Sequence, residues 1–279
     1  MLRRRAICIM LCFLAIMLLC TTAVLAYVSH HLAIDSEAFI VDPGVTNAPP
    51  PSSHSTSPSP ERIPRIIHQT WKSEELPDTW ANLSQGCRDM MPDYEYTLWT
   101  DASARKFIAE QYPWFLDTYD TYSYPIQRAD AIRYFVLHHF GGIYMDLDMG
   151  CLRRLDPLLV HSLILAETVP VGVSNDLIFA ERRHPFMDRV IRHLTAFDHH
   201  WLLHYPTVMF STGPMFLSAQ YATYISAHAE TPGMLRHEVS ILPRALYGKN
   251  TDLGEAPDAF FSHFYGSSWH ASDAAFVGF

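Results

Sequence analysis

Positive charge is scarce in this chain. Its 279 residues carry 20 Lys and Arg against 29 Asp and Glu, a formal net charge of −9. A surface that follows a phosphate backbone needs the opposite sign, so nucleic acid is excluded as a partner. Cysteine is scarce as well. Of the five, Cys8, Cys12 and Cys20 fall inside one N-terminal apolar run, which leaves Cys87 and Cys151 elsewhere. Those two either pair in an oxidising lumen or stay as buried thiols. No cysteine stands near His199, His200 and His204, which read as surface or interface histidines rather than as a zinc site.

Charge is absent altogether from Ala6 to Val28, directly behind Arg3, Arg4 and Arg5. A membrane helix needs about 20 apolar residues, and the arginines keep their end in the cytoplasm. The expectation is a cytoplasmic tail over 1–5, a transmembrane signal anchor over 6–28 and a lumenal remainder. A signal peptide cleaved near Val24-Leu25-Ala26 is the rival; the run is longer than the usual h-region of about 7–15 residues, which favours the anchor. Residues 29–62 are rich in proline (Pro43, Pro49, Pro50, Pro51, Pro58, Pro60), serine and threonine. Such a stretch buries too little apolar surface to fold and reads as a stem. Residues 63–279 then form one folded domain, and a chain that is 49% hydrophobic supplies a sizeable core for it.

The richest stretch runs from Gln127 to Asp148. Ala129, Ile132, Val136 and Phe140 recur at helical spacing and predict one apolar stripe. Asp130 and Arg133, three apart, are neighbours on another face. Gly141-Gly142 supplies a left-handed stop. Beyond it Ile143, Met145 and Leu147 alternate with Tyr144, Asp146 and Asp148, which predicts a strand whose end carries both carboxylates on one side. Carboxylates so close repel each other unless a cation lies between them. All-oxygen ligation suits magnesium or manganese, with water and substrate phosphate oxygens filling the other positions. A D-x-D alone marks many solvated turns; its company here gives it meaning.

Elsewhere the pattern alternates. Pro64 to Lys72 predicts a first buried strand with Trp71 just past it, where its ring either joins the core or stacks on a base. Asn82-Leu83-Ser84 is a glycosylation sequon. A second strand spans Tyr94 to Trp99, Asp101 opens a helix that stops before Pro113, and Trp114 to Tyr124 is a short aromatic helical segment. Strands follow around Leu163 and over Val173 to Phe179, the latter with Asn175 and Asp176 embedded and in need of partners. Pro185 begins a helix. Tyr205 to Pro214 reads as a strand and tight turn whose Ser211, Thr212 and Gly213 offer hydroxyls and open backbone to a ligand. A helix over Met215 to His228 and a strand over Leu235 to Leu242 complete the series. This order predicts an α/β domain with a mostly parallel sheet between helices, and a ligand beyond the carboxyl ends of the strands.

Four stretches, PRIIHQTW, RADAIRYFVLHHFGGIYMDLD, VMFSTGPMFLS and SHFYGSSWHASD, resemble glycosyltransferase family 32, the DXD-containing sugar-nucleotide glycosyltransferases. Ala129 stands where that family carries a serine. The last two stretches look most like those of fungal inositol-phosphoceramide mannosyltransferase catalytic subunits. The resemblance implies a glycosyltransferase-A-type nucleotide-diphospho-sugar domain. It implies transfer of mannose from GDP-mannose to the inositol headgroup of inositol-phosphoceramide, in the Golgi lumen, by a single-pass type II membrane protein. It also implies manganese or magnesium held by Asp146, Asp148 and His263, and Asp130, Arg133, Asp146 and Asp148 as catalytic groups. Donor contacts would come from Trp71, Asp130, Arg133, Asn175, Asp176, Ser267, Ser268 and Trp269, and a regulatory membrane subunit would be a further partner. Two alternatives stay open: an α-mannosyltransferase acting on N-glycan outer chains, and a non-catalytic tethered carbohydrate-binding relative. No residue is singled out as a catalytic base.

Overall fold

Runs of β-branched and aromatic residues build six strands into one sheet, in the order β2-β1-β3-β6-β5-β7. The computed structural model describes residues 2–32, 34, 38, 60–169, 171–201, 203–228, 238–249 and 256–264. β1 (Ile66–Thr70) pairs in parallel with both β2 (Glu95–Trp99) and β3 (Gly142–Met145). β6 (Val173–Ala180) is antiparallel to β3 and to β5 (Leu163–Glu167), and β7 (Ser240–Leu242) is parallel to β5. Among these strands only β6 runs against the rest, so the sheet is mostly parallel, as expected. All 8 residues of β6 are buried, the signature of a strand covered on both faces. β4 (Met149–Cys151) and β8 (Phe261–His263) form a separate antiparallel pair beside it.

Side chains divide between the two faces at strand period. Tyr144, Leu165 and Ile178 join one apolar cluster, while Ile143, Met145, Ile164 and Phe179 join the other. The first cluster is built on α5 (Pro125–Phe140). Its expected single stripe is instead burial all round: every residue from Asp130 to Leu137 is buried. The reason is its place, packed on β1 and flanked by α3 (Asp101–Gln111), α6 (Pro185–His193) and α7 (His204–Ser211). α2 (Asp78–Met90) lies against β4. Between these, α4 (Leu116–Thr121) packs on α3.

At the end of α5 the chain turns through Gly141 (φ 68°) and Gly142 (φ 101°). A Cβ on Gly142 would lie 2.5 Å from the Ile66 carbonyl oxygen, so only glycine lets β3 close on β1. β3 then stops at Met145, one residue before the first carboxylate. Asp146, Leu147 and Asp148 therefore form the turn between β3 and β4 rather than a strand end, with the Met149 N–H donating to the Asp146 carbonyl at 3.2 Å.

Two further expectations need correction. The strand expected from Tyr205 is the helix α7. Val208-Met209-Phe210 is too short a run to reveal its period, and its buried members Tyr205, Val208 and Met209 fall at i, i+3 and i+4. The sequon lies on α2 with Asn82 exposed, as expected, while Ser84 is buried and donates to Gln69 Oε1 at 2.7 Å. The strand expected over Leu235 to Leu242 begins at Ser240, and residues 235–237 lie outside the described ones.

At the N-terminus α1 (Leu2–Leu32) is helical and touches α8 (Pro214–His228). Among the described residues no helix is long and apolar enough to cross a membrane. The expected membrane span is thus not supported by the described helices. Most of the expected stem, residues 39–59 included, lies outside the described residues.

Candidate active site

The carboxyl ends of β1, β2, β3 and β5 open into one cleft of about 1080 Å³, which the amino end of β6 also enters. This is the crevice that a mostly parallel sheet creates for a ligand. Its floor is a buried ionic cluster. Arg133 (3% exposed) and Asp130 (4% exposed) leave neighbouring turns of α5 and meet with Nη2 2.8 Å from Oδ1. Arg133 Nη1 donates to the Asn175 carbonyl at 2.6 Å and lies 3.6 Å from Asp146 Oδ1. Its guanidinium sits 4.5 Å over the Tyr144 ring. Asn175 Nδ2 donates to Asp130 Oδ1 at 2.9 Å, and Thr212 Oγ1 donates to Asp130 Oδ2 at 3.0 Å. Burial pushes the Asp130 carboxyl up, and Arg133, Thr212 and Asn175 pull it back. Both Asp130 oxygens already receive protein donors, so a sugar hydroxyl would share them.

The DXD turn rests on this floor. Tyr144 Oη donates to Asp146 Oδ1 at 2.7 Å; having one proton, it accepts at 2.9 Å from Thr70 Oγ1. The Asp146 N–H donates to the Asp176 carbonyl at 2.9 Å. Burial pushes the Asp146 carboxyl up, Arg133 opposes this, and the charges of Asp176 and Asp148 add to it. Asp176 goes the other way. Burial alone would raise it, but Lys249 at Oδ2 and the hydroxyls of Ser174 and Tyr247 hold it below the usual carboxylate range. Asn175 and Asp176, expected as a polar pair on one strand, thus split between the two sides of the turn.

On the far side, the Phe264 N–H donates to the Asp148 carbonyl at 2.9 Å. His263 pairs with Met149 in the small sheet and lines the cleft. Its Nε2–H donates to the Tyr247 carbonyl at 3.1 Å, and the two rings meet edge to face at 4.7 Å. Among the described residues no three His, Cys, Asp or Glu side chains are grouped to hold a metal. Asp146, Asp148 and His263 all line this cleft, and His263 spends its Nε2–H on the Tyr247 carbonyl. Two carboxylates on one turn remain, in a place already overcharged with Asp176. An oxygen-only pair that leaves positions to phosphate and water fits magnesium or manganese.

Trp71 lines the cleft half-buried, its N–H donating to the Trp99 carbonyl at 3.0 Å. Its indole Nε1 is buried without a hydrogen-bond partner among the described residues, an orphan that a ligand acceptor would satisfy. Ser267, Ser268 and Trp269 lie outside the described residues. Ser211 does not face a ligand: it is fully buried and accepts from Gln127 Nε2 at 2.8 Å. Sequence reasoning missed Tyr247 and Lys249. The one signal for them was glycine: Gly248 (φ 82°) caps α9 (Arg244–Tyr247), and a Cβ there would collide with the Phe261 carbonyl oxygen.

Cys87 and Cys151, left open as thiols or a pair, are joined in a disulfide with their Cα atoms 5.2 Å apart. It ties α2 to β4, the strand that leaves the DXD turn.

Known proteins resemble this chain in sequence. Residues 77–165 match the family described as a glycosyltransferase sugar-binding region containing a DXD motif. The chain is 48% identical over 217 residues to mannosyl phosphorylinositol ceramide synthase SUR1 of Saccharomyces cerevisiae, covering 78% of this chain and 54% of that one. It is 48% identical over 216 residues to inositol phosphoceramide mannosyltransferase 3 of Schizosaccharomyces pombe, covering 77% and 58%. With the initiation-specific alpha-1,6-mannosyltransferase of Candida albicans it shares 29% over 126 residues, 41% of this chain and 33% of the other. The chain thus spans little more than half the length of the first two relatives. The matched segment holds Asp130, Arg133, Asp146 and Asp148 together, and the chain belongs to the DXD-containing glycosyltransferases.

Proposed function

We propose that this chain is a mannosyltransferase that moves mannose from GDP-mannose to the inositol headgroup of inositol-phosphoceramide. The observation that carries this is the DXD turn seated on the buried Asp130–Arg133–Asn175 cluster, in a chain 48% identical to a mannosyl phosphorylinositol ceramide synthase. In this reading the domain is of the glycosyltransferase-A type. Trp71 takes the base, with its orphan indole N–H on the nucleotide. Asp146 and Asp148 hold magnesium or manganese, which supplies Lewis-acid neutralisation of the leaving diphosphate. Arg133 fixes Asp146 from below, and Asn175 and Thr212 fix Asp130 for the donor sugar. Lys249 and Asp176 line the opposite wall.

The same reading makes α1 an anchor and the chain a type II Golgi membrane protein with its domain in the lumen. The disulfide supports an oxidising compartment. A regulatory membrane subunit belongs to the proposal and is tested by copurification. The deciding assay incubates purified full-length protein with GDP-mannose and inositol-phosphoceramide, with manganese and then with excess chelator. Mannosylated lipid that disappears on chelation is the expected result. Transfer only to a high-mannose glycan would favour the outer-chain reading, and neither transfer nor donor hydrolysis would leave a binding protein.

A further inference from the structure

The short helix α7 has two working faces. Tyr205, Val208 and Met209 line the cleft, whereas Phe210 on the opposite side is 46% exposed. Just before the helix Trp201 is 54% exposed, its ring 6.0 Å from that of Phe210, and Leu203 is exposed as well. These side chains are held outward by a buried hook. Thr207 Oγ1 accepts from the Trp201 N–H at 3.0 Å and donates to the Leu203 carbonyl at 2.7 Å. Large apolar groups fixed in contact with water mark a surface that meets something apolar.

Two observations identify that partner as lipid. α7 packs on α8, and α8 is also the helix that α1 touches. The described middle of α1 exposes Phe13, Ile16, Leu18 and Leu19. The apolar N-terminal helix and the aromatic pair therefore share one helical support. In addition, the cleft wall on the inner side of α7 is itself apolar, formed by Tyr205, Met209 and Met215. Tryptophan, with an apolar body and a polar N–H, favours the boundary between headgroups and acyl chains. We propose that Trp201, Leu203 and Phe210 form a bilayer-docking patch that seats the mouth of the cleft on the membrane, so that a lipid headgroup enters past α7. The proposal rests on the reading of the acceptor as a membrane lipid.

The test uses the full chain in lipid nanodiscs. Brominated phosphatidylcholine quenches tryptophan at the bilayer boundary, so Trp201→Ser should remove a clear share of the quenching seen in the wild type. The double change Trp201→Ser with Phe210→Ser should lower transfer to inositol-phosphoceramide by about tenfold through lost interfacial burial. Donor hydrolysis and transfer to water-soluble inositol phosphate should stay at the wild-type rate, which also shows that the variant folds. Unchanged bromolipid quenching in Trp201→Ser overturns the proposal. So does an equal fall with soluble and lipid acceptors, or a patch buried instead in a dimer of this chain. If the wild type mannosylates no inositol phosphate of either kind, the functional reading fails, and quenching alone still decides the patch.

Discussion

Two aspartates of the site, one in the DXD turn and one on α5, do different work, and substitution separates them. Asp148 lies half-exposed in a turn, so Asp148→Ala should abolish transfer with little change in the urea midpoint. Asp130 faces Arg133 in a nearly water-free place. Asp130→Ala leaves that guanidinium buried without its partner and should cost about 3–5 kcal/mol of stability; a wild-type midpoint would show that the pair is not structural. His68 supplies a pH prediction. The Gly141 carbonyl can only accept, so Nε2 carries the proton at 3.0 Å from it; the Trp99 indole can only donate, so Nδ1 is bare at 3.2 Å. Burial, opposed by the Gly141 bond, pushes this imidazole down from 6.5 to about 4. Its folded pKa is depressed, so unfolding takes up a proton between those values. The contribution is full above about pH 6.5 and is lost as the pH falls toward 4, about 3 kcal/mol in all. His68→Gln should flatten that part of the stability profile, and an unchanged slope between pH 7 and pH 5 would assign the titration to another group.

The helix-glycine-strand unit from α5 to β3 shows what local sequence carries. Helical spacing, two glycines and strand alternation are short-range signals, and they placed α5, the glycine turn and the start of β3 to within a residue or two, while the strand ends three residues earlier than its alternation suggested. Gly142 gives the sharpest check. With φ 101° and the Ile66 carbonyl 2.5 Å from an ideal Cβ, Gly142→Ala should destabilise by at least about 2 kcal/mol, read as a lowered thermal midpoint. α7 was not legible because its apolar run is too short to distinguish a period of 2 from 3.6. The cluster around Asp130 was legible only in part. Asp130 and Arg133 neighbour each other along one helix, whereas Thr212 reaches Asp130 from 82 residues away. Lys249 reaches Asp176 from 73 residues away. Such partners are brought together by packing, and no local pattern announces them. The contact of His263 with Tyr247, 16 residues apart, was hidden for the same reason.

Across the molecule, the DXD turn is gripped from both directions. β3 holds its entry through the main sheet, and the Cys87–Cys151 bond holds its exit through α2. The bonded residues are 64 apart, and closing a loop of that length contributes about 4 kcal/mol in the chain-entropy account. Cys87→Ser with Cys151→Ser should lower stability by that order in urea titrations; a change under 1 kcal/mol would show the bond to be idle. Reduction releases the exit alone, because the strands of the main sheet do not depend on it. The reduced protein should keep its far-ultraviolet circular dichroism yet bind the proposed donor more weakly. The bond then works as a redox lock: in a reducing compartment the chain would carry the same carboxylates but hold their turn slack, and an oxidising one would close the ring around it.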